Sequence, residues 1–175
     1  MSFLFAIFRV PIKRKIFIHF TIFFLSLAGI YHTTLAQLSN TLPWTFMKGD
    51  STTNNNGIYG NIGTSASGNK PGGREGCGIN WTDASGNLWM FGDYGYPASG
   101  GSFYLNDLWK FNPSSNQWTW VNGDNTGNTA ATYGSQGLAG PLNNPGNRHL
   151  STSWSDNAGN LWLFGGYNYC RCFTK

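Results

Sequence analysis

The chain has 175 residues, among them 24 Gly, 8 Trp and 8 Tyr, and only 10% of it is charged, which leaves room for one ordinary domain. So many aromatics exclude a disordered chain, and so much Gly and Asn exclude a helical one; short strands joined by many turns remain. The formal charge of +4 resides in Arg9, Lys13, Arg14 and Lys15, since residues 37–175 carry seven basic and seven acidic side chains. No Lys/Arg stripe is left to neutralise phosphates, so nucleic acid is excluded as a partner.

In chain order, residues 1–36 read as a signal peptide. Lys13-Arg14-Lys15 precedes an apolar run from Ile16 to Tyr31, broken only by His19, Thr21 and Ser26. Thr34-Leu35-Ala36 then offers small residues for cleavage before Gln37. The run is short for a bilayer span, so the membrane is met only through this segment before its removal. No Cys follows the run, which gives no support to a lipid-anchored form. The expected destination is secreted, extracellular or on the cell surface.

Trp44–Met47 reads as a strand, followed by a long loop, Lys48–Gly73. Gly76–Thr82 is the next strand, ending in Trp81. Asp83-Ala84-Ser85-Gly86 makes a tight connection to Asn87–Phe91, closed by Gly92. A loop from Asp93 to Tyr104 leads to Leu105–Phe111. The turn Asn112–Asn116 leads to Gln117–Val121, which alternates at period two. Four short antiparallel strands in a row form one propeller blade.

The chain repeats itself at a shift of 73 to 74 residues. Trp44-Thr45 recurs as Trp118-Thr119, Gly49-Asp50 as Gly123-Asp124, and Tyr59-Gly60 as Tyr133-Gly134. Arg74 recurs as Arg148, Trp81 as Trp154 and Asp83 as Asp156. Gly86-Asn87-Leu88-Trp89 recurs as Gly159-Asn160-Leu161-Trp162. One supersecondary unit is therefore used repeatedly.

These residues resemble the kelch branch of the galactose-oxidase-like propellers, in the long-loop form of exported bacterial proteins. Leu161-Trp162-Leu163-Phe164-Gly165-Gly166 is similar to the diglycine strand of a kelch blade. Leu105–Phe111 followed by Trp118 supplies the aromatic and the Trp at kelch spacing. The resemblance covers residues 43–169, with Gly92-Asp93 standing where the first copy should have a Gly pair. It implies an all-β fold, a fragment of a kelch-type β-propeller with about one complete four-stranded blade plus parts of two neighbours. Residues 37–175 form this partial propeller, with repeat units 44–117 and 118–169 and an aberrant tail, 170–175. Trp81, Trp89, Trp109, Trp118, Trp154 and Trp162 are expected to pack between blades.

The resemblance also raises copper oxidase chemistry, held by Tyr and two His. Beyond the leader only His149 remains, read as an ordinary residue at a strand start, so no metal and no cofactor is expected. Each Asp is placed at a repeated turn, leaving no catalytic carboxylate pair; Asp83 and Asp156 resemble a calcium loop only weakly. Cys77, Cys170 and Cys172 lack zinc-ligand company. Cys77 reads as a small buried hydrophobe, although an oxidising compartment permits a disulfide to one of the other two.

Binding remains. Loops after strands two and four of a blade emerge on one face, and there they are long: Lys48–Gly73, Asp93–Tyr104 and Asn122–Asn147. They carry Tyr59, Tyr94, Tyr96, Tyr104 and Tyr133 among Gly, Asn and Ser, a surface suited to protein or glycan contact. The expected function is a non-catalytic extracellular binding or scaffold module. The alternative is part of an exported propeller enzyme, galactose-oxidase-like or sialic-acid-epimerase-like, with its catalytic residues outside this chain.

Overall fold

The structure, a computed structural model, describes residues 6–9, 43–76 and 79–168. The cleavage site, Cys77, Cys170, Cys172 and the tail 170–175 lie outside them. Among the described residues there are strands and no helix. The described residues are thus all-β, and four of their strands meet in the antiparallel series expected of one propeller blade.

The blade is the antiparallel series β5 (Asn80–Thr82), β6 (Leu88–Gly95), β7 (Phe103–Asn112) and β8 (Gln117–Asn122). Two short strands extend it: β4 (Arg74–Glu75) runs along the far end of β6, and β3 (Ser65–Ala66) adds to the outer edge of β8. Of the expected strand over Gly76–Thr82, β5 takes up Asn80–Thr82, and β4 lies just before it. The hairpin turn after β7 is fastened by Asn112, whose Oδ1 accepts the N–H groups of Ser114 and Ser115 at 2.8 and 3.2 Å. Asn116 there adopts a positive φ of 55°, which Asn tolerates well.

One expectation fails instructively. Asp93–Tyr104 is not all loop, because Asp93, Tyr94 and Gly95 continue β6 and pair with Leu105, Tyr104 and Phe103 of β7. A register shift between Phe91 and Asp93 makes this possible. Gly92 and Asp93 both take positive φ, 60° and 82°, so the strand bulges and resumes pairing. A Cβ at Gly92 would stand 2.7 Å from the Leu105 carbonyl oxygen, so this position accepts only glycine.

Both blade faces are packed. On one, Trp109, Phe111 and Trp118 are buried with Tyr59 from the preceding loop. On the other, Ile79, Trp81 and Phe91 meet Leu161 and Leu163 of the next sheet. That sheet is the hairpin β9 (Thr152–Ser155) with β10 (Leu161–Phe164). Its attachment is also polar: the Trp81 indole N–H donates to the Trp162 carbonyl at 3.0 Å, and the Ser153 hydroxyl to the Asn80 carbonyl at 3.0 Å.

Two further expectations are corrected. Trp154 and Trp162 stack on each other at 6.1 Å, but they are 47% and 48% exposed. They sit on the outer face of β9–β10, which no described sheet covers. The strand expected at Trp44–Met47 is β2 (Thr45–Gly49), and its partner is β1 (Ala6–Arg9), within the segment read as a leader.

Candidate binding face

Strand alternation turns Asp107 inward beside Trp109 and Phe111, a costly place for a carboxylate unless every lone pair is used. It is used fully. Arg74 donates Nη1 to Oδ1 at 2.7 Å and Nη2 to Oδ2 at 2.6 Å. The Tyr59 hydroxyl and the Trp109 indole each donate to Oδ2 at 2.7 Å. Burial, then the neighbouring carboxylate, pushes the Tyr59 phenol well above its ordinary value. Burial alone would lower the Arg74 guanidinium, but Asp107 overrides it and holds it above its usual value. Asp107 is therefore a mid-strand hub, where a turn position was expected.

The tight hairpins are built around Asp83 and Asp156. Asp83 Oδ1 accepts the backbone N–H groups of Ser85 and Asn87 at 2.9 Å, and Oδ2 accepts from Asn87 Nδ2 and Trp89 Nε1 at 2.8 Å. Asp156 repeats this with Ala158, Asn160 and Trp162. Slight burial works to raise Asp83, but the Trp89 and Asn87 donors prevail and hold it at about 2. The Asn160 side chain and the Trp162 indole hold Asp156 at about 2 as well. Each carboxylate is thus committed to closing its own turn. Among the described residues, no three His, Cys, Asp or Glu side chains gather as a metal-binding group.

The five tyrosines fall into different places. Tyr59 is in the core, 4% exposed, its ring 4.8 Å from Trp109 and 5.1 Å from Trp120; it is not on the loop surface. Tyr94 and Tyr104 are facing strand residues with rings 4.9 Å apart. The Tyr104 ring also lies 5.6 Å from Tyr167, carrying the aromatic row across to the segment that follows β10. Tyr96 is half-buried where the chain leaves β6, its backbone N–H donating to the Gly73 carbonyl at 2.9 Å. Tyr133 is 65% exposed and is held by the Arg148 guanidinium.

His149 is more than a strand start. Its Nδ1 is 2.5 Å from Asp93 Oδ1, and its backbone pairs with Tyr167. Asp93, in the place expected for the second glycine of a pair, therefore ties the blade to the segment that follows. Arg74 and Tyr167 recur in the repeat as Arg148 and Tyr94, which is a signal for both; Asp93 and His149 stand where the other copy has Gly166 and Glu75, so the repeat gave no sign of their contact.

The Kelch motif family matches residues 82–125, from the end of β5 to just past β8. Over those residues the blade is similar to a Kelch motif. Kelch motifs generally mediate protein–protein interaction, and Kelch repeat domains are typically non-catalytic binding modules. No curated protein and no solved structure matches the chain. The Kelch blade is thus the part that positions the Tyr94–Tyr104 pair, while Tyr167 and His149 are brought to it by the β9–β10 side.

Proposed function

We propose that this chain is an exported, non-catalytic Kelch module that binds a protein partner outside the cell through the face bearing Tyr94, Tyr104 and Tyr167. The observation that carries it is the aromatic row itself. Three half-buried or exposed tyrosines stand together, joining the blade to the segment after β10, and Tyr167 is 52% exposed. Tyrosine offers large contact area at low entropic cost, together with a hydroxyl that adapts to polar groups. The tripartite leader supports export, and the loop residues Tyr96–Ser102, rich in Gly and Ser, border the row.

Full-length protein without its leader, immobilised and exposed to the extracellular proteins of the producing cell, tests this. Capture of a defined protein that is lost in Tyr94→Ala/Tyr167→Ala supports the reading. Capture unaffected by both changes overturns the assignment of this face. Retention of sugars alone on a glycan array would replace the protein partner with a glycan.

A further inference from the structure

Asn followed by Gly occurs twice, at Asn56-Gly57 and Asn122-Gly123, and the fold treats the two steps oppositely. At the first, Asn56 Nδ2 donates to the Pro97 and Gly100 carbonyls at 2.9 and 3.1 Å, and the Gly57 N–H donates to the same Pro97 carbonyl at 3.0 Å. The side-chain amide and the backbone nitrogen after it are both engaged by the loop that follows β6. At the second, the Gly123 N–H donates to Oδ1 of Asn122 itself at 2.7 Å. This backbone nitrogen therefore lies against the side-chain carbonyl of the residue before it. Gly123 has a φ of 82°, and a Cβ there would stand 2.1 Å from the Asn106 carbonyl oxygen. The fold demands glycine at 123, the residue that screens its own nitrogen least. Water reaches this place in the repeat even where a complete blade follows. One repeat earlier Lys48 occupies it, and its Nζ donates to the Ser67 carbonyl in an exposed hydrogen bond.

We infer that Asn122-Gly123 is a site of self-modification, at which the Asn122 amide is converted to an acid and the backbone is in part rerouted through it. Once solvent base removes the Gly123 amide proton, the nitrogen attacks Asn122 Cγ, the carbon bonded to the oxygen it already touches. The new C–N bond closes a succinimide, and the side-chain amide leaves as ammonia, taking a proton from water. Water then adds to either carbonyl of the ring and opens it, giving aspartate or isoaspartate. Water is consumed and ammonia released, with no change of oxidation state. The consequence falls at the root of a long loop. Asn122 ends β8 opposite Leu108, and its carbonyl accepts the Trp120 indole N–H at 2.8 Å. Just beyond, Asn106 Nδ2 donates to Asp124 Oδ2 at 2.8 Å, and the Asp124 N–H donates to Asn106 Oδ1 at 3.1 Å. Isoaspartate adds a backbone carbon between these two anchor points and a carboxylate close to Asp124, so the attachment of the loop to β7 loosens.

The full chain is held in mildly alkaline buffer, folded and in urea, and peptides spanning Asn56 and Asn122 are followed by mass spectrometry for amide-to-acid conversion. In the folded protein Asn122 should convert at least about tenfold faster than Asn56. In urea the two rates should converge, because both steps are then plain Asn-Gly. An isoaspartate methyltransferase should label the aged folded protein, and Asn122→Gln, at an exposed position, should remove most of the label. In the converted fraction, separated by its added charge, the Asp124 amide should exchange faster. Equal rates at the two asparagines in the folded protein, a difference that persists in urea, or methyl label retained in Asn122→Gln would each overturn the inference. Unchanged exchange at Asp124 would overturn the loosening of the loop.

Discussion

Arg74 and Asp107, 33 residues apart in the chain, meet as a two-pronged ion pair of 2.7 and 2.6 Å whose side chains are 3% and 0% exposed. Breaking such a pair leaves a charge buried without its partner, which costs about 3–5 kcal/mol. Asp107→Ala should therefore lower the urea midpoint severely. Replacing both residues by apolar side chains of similar size should recover a large part of that loss, because the uncompensated charge is gone. A single Asp107 change that leaves the midpoint in place would contradict the buried clasp.

The repeat-related tyrosines should respond oppositely. Tyr59→Phe removes one of the donors to buried Asp107 and should cost about 1–2 kcal/mol. Tyr133→Phe, at an exposed counterpart, should stay within about 0.5 kcal/mol. Denaturant titration of the two variants side by side decides this.

Acid should loosen the hairpins in a defined window. The folded-state values of Asp83 and Asp156, about 2, lie below the unfolded carboxylate value of about 3.9. Their contribution is thus complete above about pH 4 and is lost as pH falls towards 2. Unfolding midpoints measured from pH 5 to 2 should decline, and Asp83→Ala should flatten the curve. Carboxyl resonances of both aspartates titrating near 4 would mean the turns are not closed as described.

Tryptophans should divide by face. Trp109→Ala empties a fully buried site and should cost about 3–5 kcal/mol. Trp154→Ala, at a half-exposed site on the outer face of β9, should cost about 1 kcal/mol or less.

Removal of residues 1–36 takes away β1 and with it the partner of β2. Hydrogen exchange at the amides of Thr45–Gly49 should be slower in the full chain than in residues 37–175. Equal exchange in the two would show that β1 adds no protection.

Much of this architecture was legible because turn chemistry and period-two patterning agree along the blade. Asp83–Gly86, Asn112–Asn116 and the alternation of Gln117–Val121 each carry a local signal that the fold obeys. The extension of β6 through Gly92 and Asp93 was not legible, since a glycine followed by aspartate reads as a stop; only the cross-strand pairing with Leu105 and Tyr104 makes it a bulge. Tyr59 and Tyr133 match in sequence yet differ in burial, because burial depends on which sheet covers them. Asp107 gave no local sign of its role, as its partners Tyr59 and Arg74 come from a different part of the repeat.

That last separation decides where the protein can be cut. The stretch matched as a Kelch motif, 82–125, contains Asp107 and Trp109 but neither Tyr59 nor Arg74. A blade excised at those limits would keep an acid in its interior after losing the base that neutralises it. The smallest piece expected to fold by itself begins no later than Tyr59. Grafting or permuting the blade should follow the 73- to 74-residue period in that phase, so that each aspartate travels with the arginine preceding it.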